Sequence, residues 1–429
     1  MLRLLFVFGF IDSYIHRKKG ADNMSNDIRK LLVMNIISSI ISIYIAIFVN
    51  LYIWESNQGI DEVSLYNVSM YICWGLTFAL ASKLISKYSI RVLLAVSALC
   101  GAVAFMYLMF VHLDNRLLWI ALLGIPVGMM FGFSQSSQNL GIAMQGKENE
   151  LAPYFAAINI TSQVLNMAVP ILSAAVIQGF GYRGSFVTML IFIAVMLLYA
   201  CTMPRISLPP PSSGTLTREP LYTMGFRRAF SYPGAKWVLF SLLAAGIFLQ
   251  FQNLFALLFT FSVTQNKLQI ALLNLLYTLS SLLGLWLYRR IKFNEMRWLW
   301  IGTFMLAAGF VIALFHLPAM LILSNVLTSI GMFYFSIVWN AQQFKYIKHL
   351  DPATKRSFLV WRECILVFTR CVLLSLTFSL TEMRGLAFMT IVVITIACLF
   401  AIPVFQKLAG RDNRKWDSVP PPAADQVTL

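Results

Sequence analysis

Three charged residues share one otherwise apolar stretch, Trp361-Arg-Glu-Cys-Ile-Leu-Val-Phe-Thr-Arg370. A charge at the centre of a bilayer costs about 2.5–3.5 kcal/mol on insertion scales, so a chain that keeps three in one segment is expected to use them. As a helix rising about 1.5 Å per residue from a start near Ser357, the segment puts Glu363 about 9 Å in and Arg370 about 20 Å in, near mid-membrane. Seven residues are close to two turns, so these two share a face, about 10.5 Å apart along the axis. Arg362 points about 100° away and has the reach to snorkel to the cytoplasmic interface. Burial disfavours the charge of a carboxylate and a neighbouring guanidinium favours it, which makes Glu363 a group able to load and release a proton. Arg370 is suited either to hold the charge of Glu363 or to meet an anionic group on a solute.

The other polar residues inside apolar stretches are neutral. Asn35, Ser38, Ser39 and Ser42 recur at i, i+3, i+4 and i+7, which is one helix face, and Gln250, Gln252 and Asn253 fall in a second stretch. Both groups fit a polar cavity or hydrogen bonding between helices. Phe333, Tyr334, Phe335 and Trp339 offer aromatic walls to an amphipathic solute, or plain packing. Ser134 to Asn139 and Asn340, Gln342 and Gln343 read as helix ends or a vestibule. All 6 Cys lie within apolar runs without a C-x-x-C pair, the 4 His fall in connecting loops, and no P-loop is present. Neither a disulfide framework, a metal site nor a cofactor is therefore expected.

The elements that must position these residues follow from composition. Of 429 residues 59% are hydrophobic and 12% charged, against about 25% charged in soluble domains. That excludes a soluble protein and indicates an all-α membrane protein. Apolar runs long enough to cross fall at 31–54, 64–82, 91–112, 117–139, 152–177, 184–203, 236–261, 268–288, 298–316, 318–340, 357–380 and 385–406, which predicts 12 transmembrane helices. The formal charge of +16 does not indicate a nucleic-acid partner, because the basic residues are sorted by side. Arg116, Arg183, Lys267 and Arg384 fall on one side, Arg362 and Arg370 within a span, and the remaining 27 of 33 Lys and Arg on the other. By the positive-inside rule both termini are cytoplasmic.

The stretch 204–235, with Leu208-Pro-Pro-Pro-Ser-Ser-Gly214, reads as a cytoplasmic linker that splits the spans six and six. The organisation expected is a cytoplasmic segment 1–30, a six-helix bundle 31–203, the linker, a second bundle 236–406 and a disordered tail 407–429. Residues 1–23 make a poor signal peptide and read either as an interfacial flap or as sequence upstream of a start at Met24.

The halves repeat weakly at an offset of about 200 residues, as duplicated transporter halves do. Gly128-Met-Met-Phe131 aligns with Gly331-Met-Phe-Tyr334, and Tyr182-Arg-Gly-Ser-Phe186 with Met383-Arg-Gly-Leu-Ala-Phe388. Lys83, Lys87 and Arg91 match Arg289, Arg290, Lys292 and Arg297.

Six plus six spans, parallel half-repeats and a long basic linker resemble the major facilitator superfamily over essentially the whole chain. The loop after span 2 there reads G-x-L-A-D-R-x-G-R-R, and Ser82-Lys-Leu-Ile-Ser-Lys-Tyr-Ser-Ile-Arg91 is similar to it. Lys87 and Arg91 fall on basic positions, while Ser86 stands for the Asp and Ser82 and Ser89 for the glycines. Gly179-Phe-Gly-Tyr-Arg183 also looks like the family's segment before span 6. Drug/proton antiporters of the family carry an Arg in span 4 where Ile120 stands, and their Gly-Pro segment of span 5 is reduced to Val169-Pro-Ile-Leu-Ser-Ala174. The Arg362-Glu363 pair with Arg370 is similar to a pattern in poorly characterised bacterial members.

The resemblance implies a monomeric, multi-pass transporter of the cell membrane, whose partners are membrane lipid and a small amphipathic substrate and whose coupling ion is the proton, with efflux the expected direction. Spans 1, 4, 7 and 10 would line the cavity, implying Asn35, Ser38, Ser42, Gln250, Asn253 and Tyr334. Spans 2 and 11 would lie side by side, so Lys83, Lys87 or Arg91 would gate against Glu363. Glu363 is thus a gating ion-pair partner, a proton site or a substrate contact, with Arg362 and Arg370 beside it. A lipid flippase on the same scaffold and an intramembrane lipid-modifying enzyme are the rival readings. The enzyme would need acid/base groups converging at one depth, where one buried Glu and no buried His is little equipment.

Overall fold

The computed structural model describes residues 25–85, 87–145, 148–204, 225–291, 293–315, 317–347, 350, 352–378, 380 and 385–417. Among them every regular element is a helix, the form in which an apolar segment satisfies its own backbone in lipid. In chain order these are α1 Asn26–Asn57, α2 Ile60–Leu84, α3 Ile90–Phe110 and α4 Arg116–Gln145, then α5 (148–180) and α6 (182–202). After a short turn of helix at Phe226–Ala229 come α7 Ala235–Val263, α8 Lys267–Arg290, α9 Glu295–Ala313, α10 Pro318–Ile347, α11 Pro352–Thr377 and α12 Leu386–Asp417. Asn266 and Asn294 cap α8 and α9, each side-chain oxygen accepting from backbone N–H groups of the first turn.

Ten helices among the described residues are long and apolar enough to cross a membrane. One of the ten, Thr161–Thr202, runs through α5 and α6, which are continuous except at Gly181. That residue has φ 68°, a left-handed conformation that glycine adopts without strain. A single residue therefore does the work that the sequence reading gave to a loop at 178–183. Helix α11 is outside the ten because of its charges. Exposed Phe110, Leu198 and Val393 are what a lipid-facing surface requires. The chain is a multi-pass membrane protein.

The chain divides into two compact units, Met1–Val49 with Leu76–Leu113 and Ile125–Ser212, and Asn50–Gly75 with Asp114–Gly124 and Ser213–Leu429. In the first, α1 and α3 pack on the α5–α6 segment. Its aromatic centre is Tyr44, stacked on Phe48 at 5.5 Å, with Phe105 at 5.8 Å, and the Tyr44 hydroxyl bonds Ser185 Oγ at 2.6 Å. In the second, α7 packs on α10, α11 and α12, and α9 on α10.

Glycine sets the tightest helix crossing. A Cβ on Gly331 would lie 2.9 Å from the Gly302 carbonyl oxygen, and one on Gly302 2.8 Å from that of Gly331. Two turns along α9, Gly309 sits as closely against Thr328 and Ser324 of α10. Close approach of backbones across small residues is how helices associate where lipid removes the hydrophobic drive.

The tail departs from expectation: α12 continues to Asp417, so 407–417 is helical rather than disordered. Its extension is held by Trp237 Nε1 donating to Asp412 Oδ2 at 3.0 Å, and at its root by the Tyr346 hydroxyl donating to the Gln406 carbonyl at 2.9 Å. Residues 1–24, 205–224 and 418–429, on which the N-terminal, linker and end-of-tail expectations fall, lie outside the described residues.

Gly331→Val drives a branched side chain into the α9 backbone and is expected to cost about 2–3 kcal/mol or more. Gly179→Ala, whose Cβ would meet nothing within 4 Å, should be neutral. Thermal unfolding of both variants in detergent checks the pair.

Candidate functional site

Helix α11 is seated against α2 and α7 by two glycines. A Cβ on Gly75 of α2 would lie 2.9 Å from Val367, and one on Gly246 of α7 would overlap Thr369. One turn beyond Gly75 and Val367 along the antiparallel α2–α11 seam are Tyr71 and Arg370. A further two turns on, Ser64 Oγ and Thr377 Oγ1 hydrogen-bond at 2.6 Å. The register between these contacts places the Arg370 guanidinium 5.2 Å from the Tyr71 ring centroid and 6.0 Å from that of Trp74. Cation–π attraction of this kind is worth about 2 kcal/mol when desolvated. It takes up none of the N–H groups, and among the described residues the buried Nε has no hydrogen-bond partner.

Two turns back, Arg362 is held by its neighbours. Its Nη1 meets Glu363 Oε1 at 3.0 Å, its Nη2 donates to Asn340 Oδ1 at 2.9 Å, and its guanidinium lies 5.5 Å from the Trp339 ring. Trp339 is itself fixed, buried and donating to Ser241 Oγ at 3.1 Å. An acceptor and an aromatic face on α10 hold the arginine where it neutralises its sequence neighbour, and both side chains of the pair are only 15–16% exposed. Glu363 therefore pairs with Arg362, and Arg370, on the same face, takes no part in that pair.

The neutral residues of α1 do come together with α4. Asn35 Nδ2 donates to Gln138 Oε1 at 2.6 Å, and Gln138 Nε2 donates to Ser38 Oγ at 2.9 Å and Ser134 Oγ at 3.0 Å. Beside this network is a cleft of about 160 Å³ lined by Asn35, Ser38, Ser42, Ser134, Ser162 and Asn166, among others. Gln138, read as part of a helix end, is its buried organiser, and Ser162 and Asn166 of α5 were not singled out by sequence. A five-residue π turn, Ile45–Val49, follows the polar stretch of α1, a feature frequent near functional sites.

Other expected members stand elsewhere. Gln250 is buried with its amide oxygen unpartnered among the described residues, whereas Asn253 is exposed. Tyr334 is 2% exposed and packed on Trp298 at 4.6 Å, next to Gly302, so its ring fills the α9–α10 crossing rather than lining a cavity. Arg91 donates twice to the Met203 carbonyl, at 2.9 and 2.6 Å, and so closes the end of α6. Lys87 lies 5.5 Å from the Tyr88 ring, and Lys83 is exposed.

A latch that the sequence did not reveal sits at the end of α1 opposite Asn26. Arg116 holds both carboxylate oxygens of buried Glu62 at 2.9 Å and donates to the Ile53 carbonyl, and Asn57 adds a bond of 2.7 Å to Glu62. Lys267 pairs at 3.0 Å with Glu55, two residues before Asn57.

No family model matches the chain. An uncharacterized protein in the sodM 3′ region of Geobacillus stearothermophilus is 25% identical over 156 residues, 36% of this chain and 71% of that protein. Among solved structures, the nucleoside transporter NupG aligns at TM-score 0.62 with 15% identity, over 90% of this chain and 99% of its own. The POT family transporter PepTSo aligns at 0.66 with 12% identity, over 92% and 99%. A bacterial homologue of the iron transporter ferroportin, in the outward-facing state, aligns at 0.64 with 13% identity, over 90% and 100%. The chain has the major facilitator fold. At these identities what these structures share with it is the fold.

Gln138→Ala removes one side chain that makes two hydrogen bonds between α1 and α4 and a third within α4, and is expected to cost about 1–3 kcal/mol. Asn253→Ala, at an exposed position, should stay within about 0.5 kcal/mol of the native protein. Chemical or thermal unfolding in detergent compares them.

Proposed function

We propose that the chain is a secondary active transporter of the cell membrane that moves a small amphipathic solute by alternating access, with protons as coupling ion and efflux as direction. The observation that carries this reading is on α11: three charges in one helix, of which Arg362 and Glu363 neutralise each other and Arg370 is left with aromatic neighbours. A nucleoside transporter, a peptide transporter and a bacterial homologue of the iron transporter ferroportin with the same fold support the class.

In this reading α1 to α12 each cross the bilayer once, α11 included, and the sorting of Lys and Arg puts both termini in the cytoplasm. The Arg116–Glu62 and Lys267–Glu55 pairs then lie at the outer face, and Lys267–Glu55, which joins residues of the two bundles, is the one that opening to the outside would break.

Glu363 is the proton site. Protonation removes the charge that Arg362 now balances, leaving that guanidinium with Asn340 and Trp339 and loosening α11 from its local pairing. Deprotonation restores the pair. A carboxylate shared in this way ties the protonation state to the α10–α11 contact, which is the coupling a proton-driven cycle needs.

The test is pH-gradient-driven transport of a panel of amphipathic compounds in proteoliposomes. Glu363→Gln is expected to abolish the dependence on the gradient while exchange down a solute gradient persists. Gradient coupling that survives the substitution would reduce Glu363 to a structural partner of Arg362.

A further inference from the structure

The two arginines of α11 are provided for differently. Arg362 has a carboxylate, an amide oxygen and an indole face. Arg370, deeper in the same helix, has the rings of Tyr71 and Trp74, and among the described residues no carboxylate or carbonyl takes its N–H groups. A guanidinium presents five donors in a planar fork that fits a carboxylate or phosphate with two parallel bonds. Aromatic faces stabilise the charge but leave that edge unused.

The position is built rather than accidental. Gly75 against Val367 on one side and Ser64 bonded to Thr377 on the other hold α2 and α11 in register around Arg370. Gly246 against Thr369 presses α11 on α7 from a second direction. The side chain is thus confined beside two rings, and the acid within its own helix, Glu363, is already taken by Arg362.

We propose that Arg370, walled by Tyr71 and Trp74, binds the acidic group of an amphipathic organic acid, so that the solute carries a carboxylate or similar anion on an apolar body. The rings accept the apolar part next to the acid, and the fork pairs with the acid itself. The inference rests on the transporter reading only in calling this anion the transported solute.

The experiment is equilibrium binding of 2-naphthoate and of its uncharged analogue 2-naphthamide to the full-length protein in detergent. Native protein is expected to prefer the acid by about tenfold or more, the range of a charge-assisted hydrogen-bond pair. Arg370→Gln is expected to erase that preference by weakening the acid and not the amide. Should that variant fail to fold, Arg370→Lys decides, because loss of the planar fork weakens the acid while the amide is unchanged. Equal binding of acid and amide by the native protein, binding of neither, or a preference that survives both substitutions overturns the proposal. Flux in proteoliposomes separates it from the transporter reading: acid binding without flux leaves the site and removes the transporter, and flux of neutral solutes without acid preference does the reverse.

Discussion

The cost of charge in hydrocarbon governs how this molecule is put together. A helix with Arg362, Glu363 and Arg370 cannot face lipid along the side that bears them, and α11 is accordingly pressed on α2 at Gly75 and on α7 at Gly246. Those two glycines give the backbone its close approach, and the charges are then met by whatever the neighbouring helices present. Asn340 and Trp339 of α10 hold Arg362 against Glu363, while Tyr71 and Trp74 of α2 stack on Arg370. The same helix therefore carries one internally neutralised pair and one cation whose charge is only partly balanced.

Neutral polarity is handled by a different device. In the first unit a single amide, Gln138, spends both its oxygen and its nitrogen on Asn35, Ser38 and Ser134, so that α1 and α4 share a network in which few groups are left bare. An amide is the right group for this, because it donates and accepts and carries no net charge to desolvate. At the end of α1 opposite Asn26, where buried Glu62 does carry charge, it receives both arms of Arg116 and the amide of Asn57. Removing either partner of such a pair would leave an uncompensated buried charge.

Much of this was legible in the chain. Apolar runs separated by charged and Gly or Pro punctuation mark the helices, because lipid demands long uninterrupted hydrogen-bonded segments. The spacing of Asn35, Ser38 and Ser42 places them on one face, and that face does line the cleft. An offset of seven residues from Glu363 to Arg370 puts them on one side of α11. Two errors are instructive. Tyr334 looked like a cavity aromatic and is core, since Gly302 lets α9 come close enough for Trp298 to cover it. The tail after Gln406 looked polar and disordered, yet Trp237 reaches Asp412 and the helix runs on.

Composition and periodicity by themselves determined that this is a polytopic helical protein, which residues share a face, and that α11 bears charges lipid would penalise. Each of these depends only on neighbours within one helix, and a helix has a fixed pitch. Tertiary structure alone decided that Arg362 and not Arg370 pairs with Glu363, that Tyr71 and Trp74 flank Arg370, that Gln138 organises the cleft, and that Asn253 points away. The rotation of each helix about its own axis, and its distance from the next, are set where Gly75, Gly246, Gly302 and Gly331 admit close packing. That contact belongs to two segments at once, and neither segment read alone contains it.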